Sequence, residues 1–297
     1  SHEVTIRNTA IGLNFIDTYH RSGVYPVELP SHLGVEGAAV VTDLGTDVEG
    51  FNVGDRVAYA GLPIGAYSEQ RNYPADRLVK IPESIPSDLA AASMLKGLTA
   101  RYLANKSYPI KIRDGVLIYA AAGGVGLFLC QWANHLGAHV IGVVSTSEKA
   151  ELAQQNGCKE ILYSDDKKLV KKVKDWTNGK GVAAVYDSVG KDTFYQSLDC
   201  LQPHGVMVSY GNATGAVEPF SVLELAKRGS LFVTRPVLFD FIKQREDLVD
   251  AANELFTFIS KKIIRVHLNT IMPLADVVEA HINLESRSTT GSTILKP

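Results

Sequence analysis

The sequence predicts an α/β chain of two domains, one rich in short strands and one built on a doubly wound parallel sheet. Three observations predict it. The chain has 297 residues, enough for two domains that each bury a core. Residues 1 to 95 carry β-branched and aromatic runs punctuated by Gly, Asp and Asn. From residue 96 the pattern changes to strands alternating with amphipathic helices, as βαβ units require.

Taken in order, VTIRN opens the chain as an alternating strand, and VEGAAVVTDLG, FNVGDRVAYAG and GAYSEQRNY follow as strands with turn residues between them. The second domain reads as strand VLIYA, helix VGLFLCQWANHLG, strand HVIGVVS and helix EKAELAQQNG. It continues with strand EILYS, helix DDKKLVKKVKDWTNG, strand VAAVYDSVG, helix KDTFYQSLDCL and strands GVMVSYG and SLFVTRP. Beyond residue 236, FIKQREDLVDAANELFTFISK reads as one long amphipathic helix. The tail ESRSTTGSTILKP returns to strand-type residues and is placed to rejoin the first domain. The expected division is therefore 1–95, 96–236 and 237–297.

Composition excludes several function classes. Hydrophobic residues make up 45% and charged residues 21%, as in an ordinary globular chain, which argues against disorder. A formal net charge of −2 leaves no electrostatic footprint for nucleic acid or an anionic membrane. Cys130, Cys158 and Cys200 are widely spaced and odd in number, so neither a disulfide framework nor a zinc site is expected, and a reducing, cytoplasmic compartment suits them. Gly115 to Ser147 contains no charged residue, yet Gly123, Gly124, Gly126, Gln131, Asn134 and His135 interrupt it before any apolar run of about 18 residues accumulates. A parallel strand buried on both faces reads the same way. Ser1-His2-Glu3 leads straight into a strand, with no secretory signal in view.

The run VLIYAAAGGVGLFLCQWANHLG places a glycine loop between a strand and a helix, the context of a dinucleotide site. Glycines there allow a tight turn and let pyrophosphate approach the backbone, while the helix N-terminus supplies N–H groups. Aligned on its last glycine, the fingerprint reads Ala121, Gly123 and Gly126, with Gly124 extra. Alanine at the first place requires a turn with no positive φ there. At the end of the next strand, where an NAD site carries an acid for the ribose 2′-OH, this chain has Ser145, Thr146 and Ser147, followed by Lys149. Hydroxyls and an ammonium donate to a 2′-phosphate, so NADPH is expected rather than NADH. Ser145 and Ser147 also suit helix capping, and Glu148 suits the helix dipole. Two other patterns carry no site. Tyr163 and Lys167 match Y-x-x-x-K but fall on a strand and the next helix, and Gly137 ends the helix between His135 and His139.

AIGLNFIDTYHRSGVYP (10–26), LKGLTARYL (95–103), AAAGGVG (120–126), VYDSVG (185–190), SYGNATG (209–215), TRP (234–236) and ESRSTTGS (285–292) together resemble the medium-chain dehydrogenase/reductase family. The likeness is to its zinc-independent quinone oxidoreductase branch, the zeta-crystallin-like enzymes, and it spans nearly the whole chain. It implies a GroES-like β-rich catalytic domain, completed by the C-terminal tail, and a doubly wound Rossmann cofactor domain. It also implies a further strand and loop ahead of Ser1, whose absence would weaken the first domain. Alcohol dehydrogenase relatives hold a catalytic zinc; this chain has Asn14 and Phe15 at the matching place, and Val35 at the histidine position. Without a Lewis acid, the expected acceptor is a quinone or a conjugated enone rather than a simple ketone.

By the same resemblance, Asn14, Tyr25, Lys96 and Thr99 would lie near the nicotinamide, and Gly123, Gly124 and Val125 would face the pyrophosphate. Ser145, Lys149 and Tyr163 would hold the 2′-phosphate end, and Gly211, Asn212 and Arg287 would close over the cofactor. Tyr19, Tyr25 and Arg235, with Asn14, are the candidate catalytic groups, walling the pocket or bonding the reduced oxygen. Asp187 reads as structural. The implied reaction is direct hydride transfer to a quinone in a cleft between domains, with no general acid identified, since solvent can protonate a hydroquinone. An enone or alkenal reductase of the same fold stays open, as does a non-catalytic NADPH-binding role of the crystallin or RNA-binding kind. A homodimer through SLFVT (230–234) is also implied, because that strand would otherwise be an exposed pairing edge.

Overall fold

Strand β1 (Glu3–Gly12) is the spine of the first unit and runs directly into helix α1 (Phe15–Ser22). A computed structural model describes residues 1–297. β1 pairs antiparallel with β2 (Glu36–Leu44), which pairs with β3 (Arg56–Ala60). β4 (Gln70–Pro74) also pairs with β1, and β5 (Val79–Lys80) closes on β3. Helix α2 (Ser87–Tyr102) follows. The fully buried Ile6, Val57, Tyr59, Tyr73 and Leu78 fill the core against this sheet, as apolar side chains on one face of a strand pleat do.

From Gly115 to Phe241 strand and helix alternate. β6 (Gly115–Tyr119), α3 (Gly124–His135), β7 (His139–Val144), α4 (Ser147–Gln155) and β8 (Glu160–Tyr163) build one half. α5 (Leu169–Trp176), β9 (Val182–Asp187), α6 (Phe194–Cys200), β10 (Leu201–Ser209), α7 (Leu223–Lys227), β11 (Phe232–Thr234) and α8 (Leu238–Phe241) build the other. Every pairing is parallel, in the order β11-β10-β9-β6-β7-β8, so the winding direction reverses between β6 and β9. Val116, Leu117 and Ile118 are fully buried, which accounts for the uncharged stretch.

The remaining chain is α9 (Arg245–Ser260), β12 (Leu268–Pro273), α10 (Val277–Glu285) and β13 (Ser292–Lys296). β13 lies antiparallel to β1, with Leu295 opposite Ile11, and β12 lies parallel to β13. The chain divides into two compact units, Ser1–Leu98 with Phe241–Pro297, and Thr99–Asp240.

Two helices differ from the pattern read in the sequence. The stretch expected as one helix from Phe241 is broken, and α9 begins only at Arg245. Arg77 Nη1 donates to Ile242 O at 3.0 Å and Arg245 Nη1 to Asp76 O and Leu78 O at 2.7 Å, so tertiary hydrogen bonds hold the break open. α5 begins at Leu169 rather than Asp165, because Asp166 Oδ1 accepts the Lys168 N–H at 2.8 Å and folds the preceding residues into a turn.

The end of β9 is fixed by one side chain. Asp187, fully buried, accepts the N–H groups of Val189 (2.7 Å) and Gly190 (3.1 Å) and the hydroxyls of Thr193 (2.6 Å) and Ser197 (2.7 Å). Truncation would remove the acceptor of all four, leaving the Gly190 N–H and the Ser197 hydroxyl stranded in the interior. Asp187→Ala is expected to lower the unfolding free energy by about 3 kcal/mol or more, checked by chemical denaturation.

Candidate active site

In a parallel sheet the strands all end on one edge, and ligands bind outside that carboxyl edge where the winding reverses. In the second unit, β6 leads into Gly123, Gly124 and Val125, β7 into Ser145 and Lys149, and β8 ends on Tyr163. β10 leads into Gly211 and Asn212, and β11 into Arg235. One edge therefore gathers nine residues singled out in the sequence.

The loop after β6 shows how alanine replaces the opening glycine. Ala121 is fully buried and its N–H donates to Val143 O at 3.1 Å, while the left-handed residue is Ala120, one place earlier, at φ 49°. Gly123 is the N-cap of α3 in an extended conformation (φ −79°), and its N–H donates to Ala120 O at 2.8 Å. Gly126 is the tight position: a Cβ there would lie 2.2 Å from Ala120 O. Gly123, Gly124 and Val125 are half-buried at the start of a helix that is otherwise largely buried, where the first N–H groups have no carbonyl partner within the helix.

Ser145, Lys149 and Tyr163 converge because β7 and β8 are neighbours, with Val144 opposite Tyr163. Lys149 Nζ donates to Ser145 Oγ at 3.2 Å. The helix cap is Thr146, which accepts the Lys149 N–H at 3.3 Å, so capping falls to neither Ser145 nor Ser147. Glu148 lies in the first turn of α4, and its own backbone N–H leads the groups that hold its carboxyl below the usual range. An exposed hydroxyl, an ammonium and a phenol, with no acid on the last strand residue, form a donor set suited to phosphate. Gly211 and Asn212 pack against the end of β9, where the neighbouring Ala213 N–H donates to Ser188 O at 3.1 Å. Arg235 Nη1 donates to Ser209 O at 3.0 Å.

In the first unit, Asn14, Tyr19 and Tyr25 come together around α1. The Tyr25 N–H donates to Tyr19 O at 3.1 Å, and the two rings meet edge to face with centroids 5.2 Å apart. Asn14 is buried, and its Nδ2 donates to Glu36 Oε2 at 2.7 Å and to Gly12 O at 3.2 Å. Lys96, also buried, places Nζ 3.2 Å from the same Glu36 oxygen, while Glu36 Oε1 accepts the Leu95 N–H at 2.6 Å. Thr99 lies one helical turn beyond Lys96 on α2. Arg287 follows α10 in a left-handed conformation, φ 58°, and is exposed.

Four further residues of this unit were not singled out in the sequence. Glu36, fully buried on a strand, is the carboxylate on which Asn14 and Lys96 converge. Asp17, fully buried on α1, accepts the Asn14 N–H and the Tyr67 hydroxyl on Oδ2, each at 2.9 Å, and Oδ1 has no partner. Tyr67 Oη lies 2.9 Å from His281 Nε2, and His281 Nδ1 lies 2.7 Å from Arg21 Nη1. Burial pushes the Asp17 carboxyl up to about 7 and lowers the His281 imidazole, which Arg21 lowers further. The signals were faint: an acid inside an apolar strand, and the i,i+4 pairs Asp17/Arg21 and His281/Glu285 on two separate helices.

Residues 1–83 match the family described as alcohol dehydrogenase GroES-like domain, and residues 124–252 the family described as zinc-binding dehydrogenase. The quinone oxidoreductase of Pseudomonas aeruginosa is 50% identical over 99% of this chain and 91% of that protein. The structure of Escherichia coli quinone oxidoreductase complexed with NADPH matches with a TM-score of 0.97 at 48% identity, covering 100% of this chain and 92% of that one. A 2-haloacrylate reductase from Burkholderia sp is 44% identical over 99% of this chain and 91% of that protein. The donor set here does not suit the metal named in the second family description. An amide and an aliphatic side chain stand at Asn14 and Val35, and no three His, Cys, Asp or Glu side chains are grouped to hold an ion.

Two outcomes follow for stability. Lys96→Ala leaves Glu36 buried without a counter-charge and is expected to cost about 3–5 kcal/mol in urea unfolding. The Asp17 carboxyl is raised in the fold, so its stabilising contribution is complete below its ordinary 3.8 and is lost as pH rises through about 7. Asp17→Asn keeps an acceptor for both donors, and unfolding measured across that range is expected to lose this part of its pH dependence.

Proposed function

The chain belongs to the medium-chain dehydrogenase/reductase family, among the quinone oxidoreductases, and from that membership we propose that it reduces quinones with hydride drawn from NADPH. The observation that carries the cofactor is the carboxyl edge of the parallel sheet. A loop too tight for a Cβ at Gly126 lies on it beside the Ser145, Lys149 and Tyr163 donors. Gly123, Gly124 and Val125 would face the pyrophosphate, with the backbone N–H groups of Gly124 and Val125 as donors while that of Gly123 closes the turn on Ala120 O, and Gly211, Asn212 and Arg287 would close over the cofactor. Asn14, Tyr25, Lys96 and Thr99 are assigned to the nicotinamide end. Bound there, the cofactor supplies a hydride. The chain supplies orientation, whose contribution reaches about 7–11 kcal/mol for well-aligned reactants. Tyr19, Tyr25 and Arg235 are assigned to the acceptor, as apolar walls and hydrogen-bond donors to the reduced oxygen.

Kinship with a 2-haloacrylate reductase favours one alternative, reduction of an activated carbon–carbon double bond at the same site. Hydride addition to a quinone and to an activated alkene both need an electron-poor acceptor and no metal. A second copy of the chain is proposed as partner. β11 is an edge strand of its sheet and Phe232 on it is 60% exposed, which supports pairing of two such edges. Phe232→Lys would then give a monomer in light scattering. A cytoplasmic location suits three buried cysteines with no disulfide among them, and no helix is long and apolar enough to cross a membrane.

Loss of nicotinamide absorbance, followed with NADPH and NADH in EDTA against quinones and enones, tests the reading. Rapid oxidation of NADPH by quinones, indifferent to chelator, is the expected result. Faster turnover of enones would select the alternative, and binding without turnover would overturn both. Lys149→Ala is expected to raise the KM for NADPH about tenfold or more, and to leave the KM for NADH unchanged.

A further inference from the structure

Asn14 is held from two sides by acids that the reaction itself does not require. Glu36 takes a proton of its side-chain amide, and Asp17 takes its backbone N–H. Asp17 is itself the end of a chain of hydrogen bonds that joins α1 to α10. Arg21, ion-paired with Glu285 at 2.7 Å, has only donors and so makes His281 Nδ1 the acceptor. The imidazole proton then sits on Nε2 and is donated to Tyr67 Oη, and the Tyr67 hydroxyl donates to Asp17 Oδ2. Every bond in the chain points toward the carboxylate.

Both bonds that reach Asp17 land on Oδ2, while Oδ1 is buried with no partner. A proton on Oδ1 therefore removes the charge and breaks neither bond. It does weaken them, since a hydrogen bond to a charged acceptor is roughly twice as strong as one to a neutral acceptor. We propose that Asp17 is a positioning residue for Asn14, pinning it tightly when ionised and loosely when protonated, so that the proton on Asp17 sets the pH dependence of NADPH binding. The charged and titratable groups around Asp17 fit this role. Tyr67 and Lys96 favour its ionised form and Glu36 opposes it, burial being the largest influence. Beyond Tyr67, His281 is kept neutral by burial and by Arg21, and on α1 itself burial also keeps His20 neutral, so Asp17 is left as the group that titrates near pH 7. The proposal rests on the assignment of Asn14 to the nicotinamide end.

The test is the NADPH dissociation constant and the kcat with a quinone, measured from pH 5.5 to 9 on the full chain. In the wild type, affinity is expected to rise about tenfold as pH passes 7, with a smaller change in kcat. Asp17→Asn, which reproduces the neutral form, is expected to bind NADPH at every pH as the wild type does at low pH. Tyr67→Phe removes a donor that favours ionisation and is expected to move the transition to higher pH. A purely structural Asp17 would change affinity equally at all pH values. A transition that survives in Asp17→Asn, or one that stays fixed in Tyr67→Phe, would overturn the proposal. Asn14→Ala separates the two levels. If it leaves NADPH affinity intact, the assignment of Asn14 fails; if it weakens binding and Asp17→Asn keeps the wild-type transition, only the role of Asp17 fails.

Discussion

Burying the Glu36 carboxylate in the middle of a strand obliges the chain to bring donors to it, and much of the first unit is arranged around that obligation. An ionised carboxylate out of water is tolerated only when paired and hydrogen-bonded. Lys96 supplies the opposite charge, Asn14 an amide proton and the backbone of Leu95 a third donor, so that α2 and the start of α1 are both drawn to β2. The crowding extends to Gly12, where a Cβ would fall 2.1 Å from Glu36 Oε2 and 2.4 Å from Ala91 O. Only glycine lets β1 pass so close. Asn14 thus receives its orientation from a charge that lies outside the chemistry.

Asp17 is governed by the opposite logic. It is buried without a cation in direct contact, so the fold gains by keeping it protonated near neutral pH, whereas its bonds to Asn14 and Tyr67 gain by ionisation. Two carboxyls thus flank one asparagine in different surroundings: Glu36 meets the Lys96 ammonium, whereas Asp17 is held by desolvation. The link through Tyr67, His281 and Arg21 carries the second of these to the surface of α10, near the C-terminus of the chain.

The second unit shapes its proposed cofactor edge with backbone, and adds one charge at its end, the Lys149 ammonium beside Ser145. Six parallel strands end together, and the reversal of winding between β6 and β9 leaves the glycine loop open to a ligand. Asp187 braces the neighbouring strand end with four hydrogen bonds, and the turn after β6 displaces its left-handed residue from Ala121 to Ala120. The fingerprint could therefore lose its first glycine without losing its shape.

The sequence by itself determined what is periodic or local. Strand and helix alternation from residue 115, the glycine loop, the absence of an acid at the end of β7 and the structural character of Asp187 are carried by neighbours along the chain. Periodicity and turn chemistry act over a few residues, so they are legible there. Only the tertiary structure decided the break before α9, which depends on Arg77 and Arg245 reaching elements far away in sequence. It also decided that Lys96 faces Glu36, and that Asp17, Tyr67 and His281 form one chain, because each contact joins residues 50 or more positions apart. A buried acid in a sequence announces a cost; the residues that offset it are known only once the chain has folded around it.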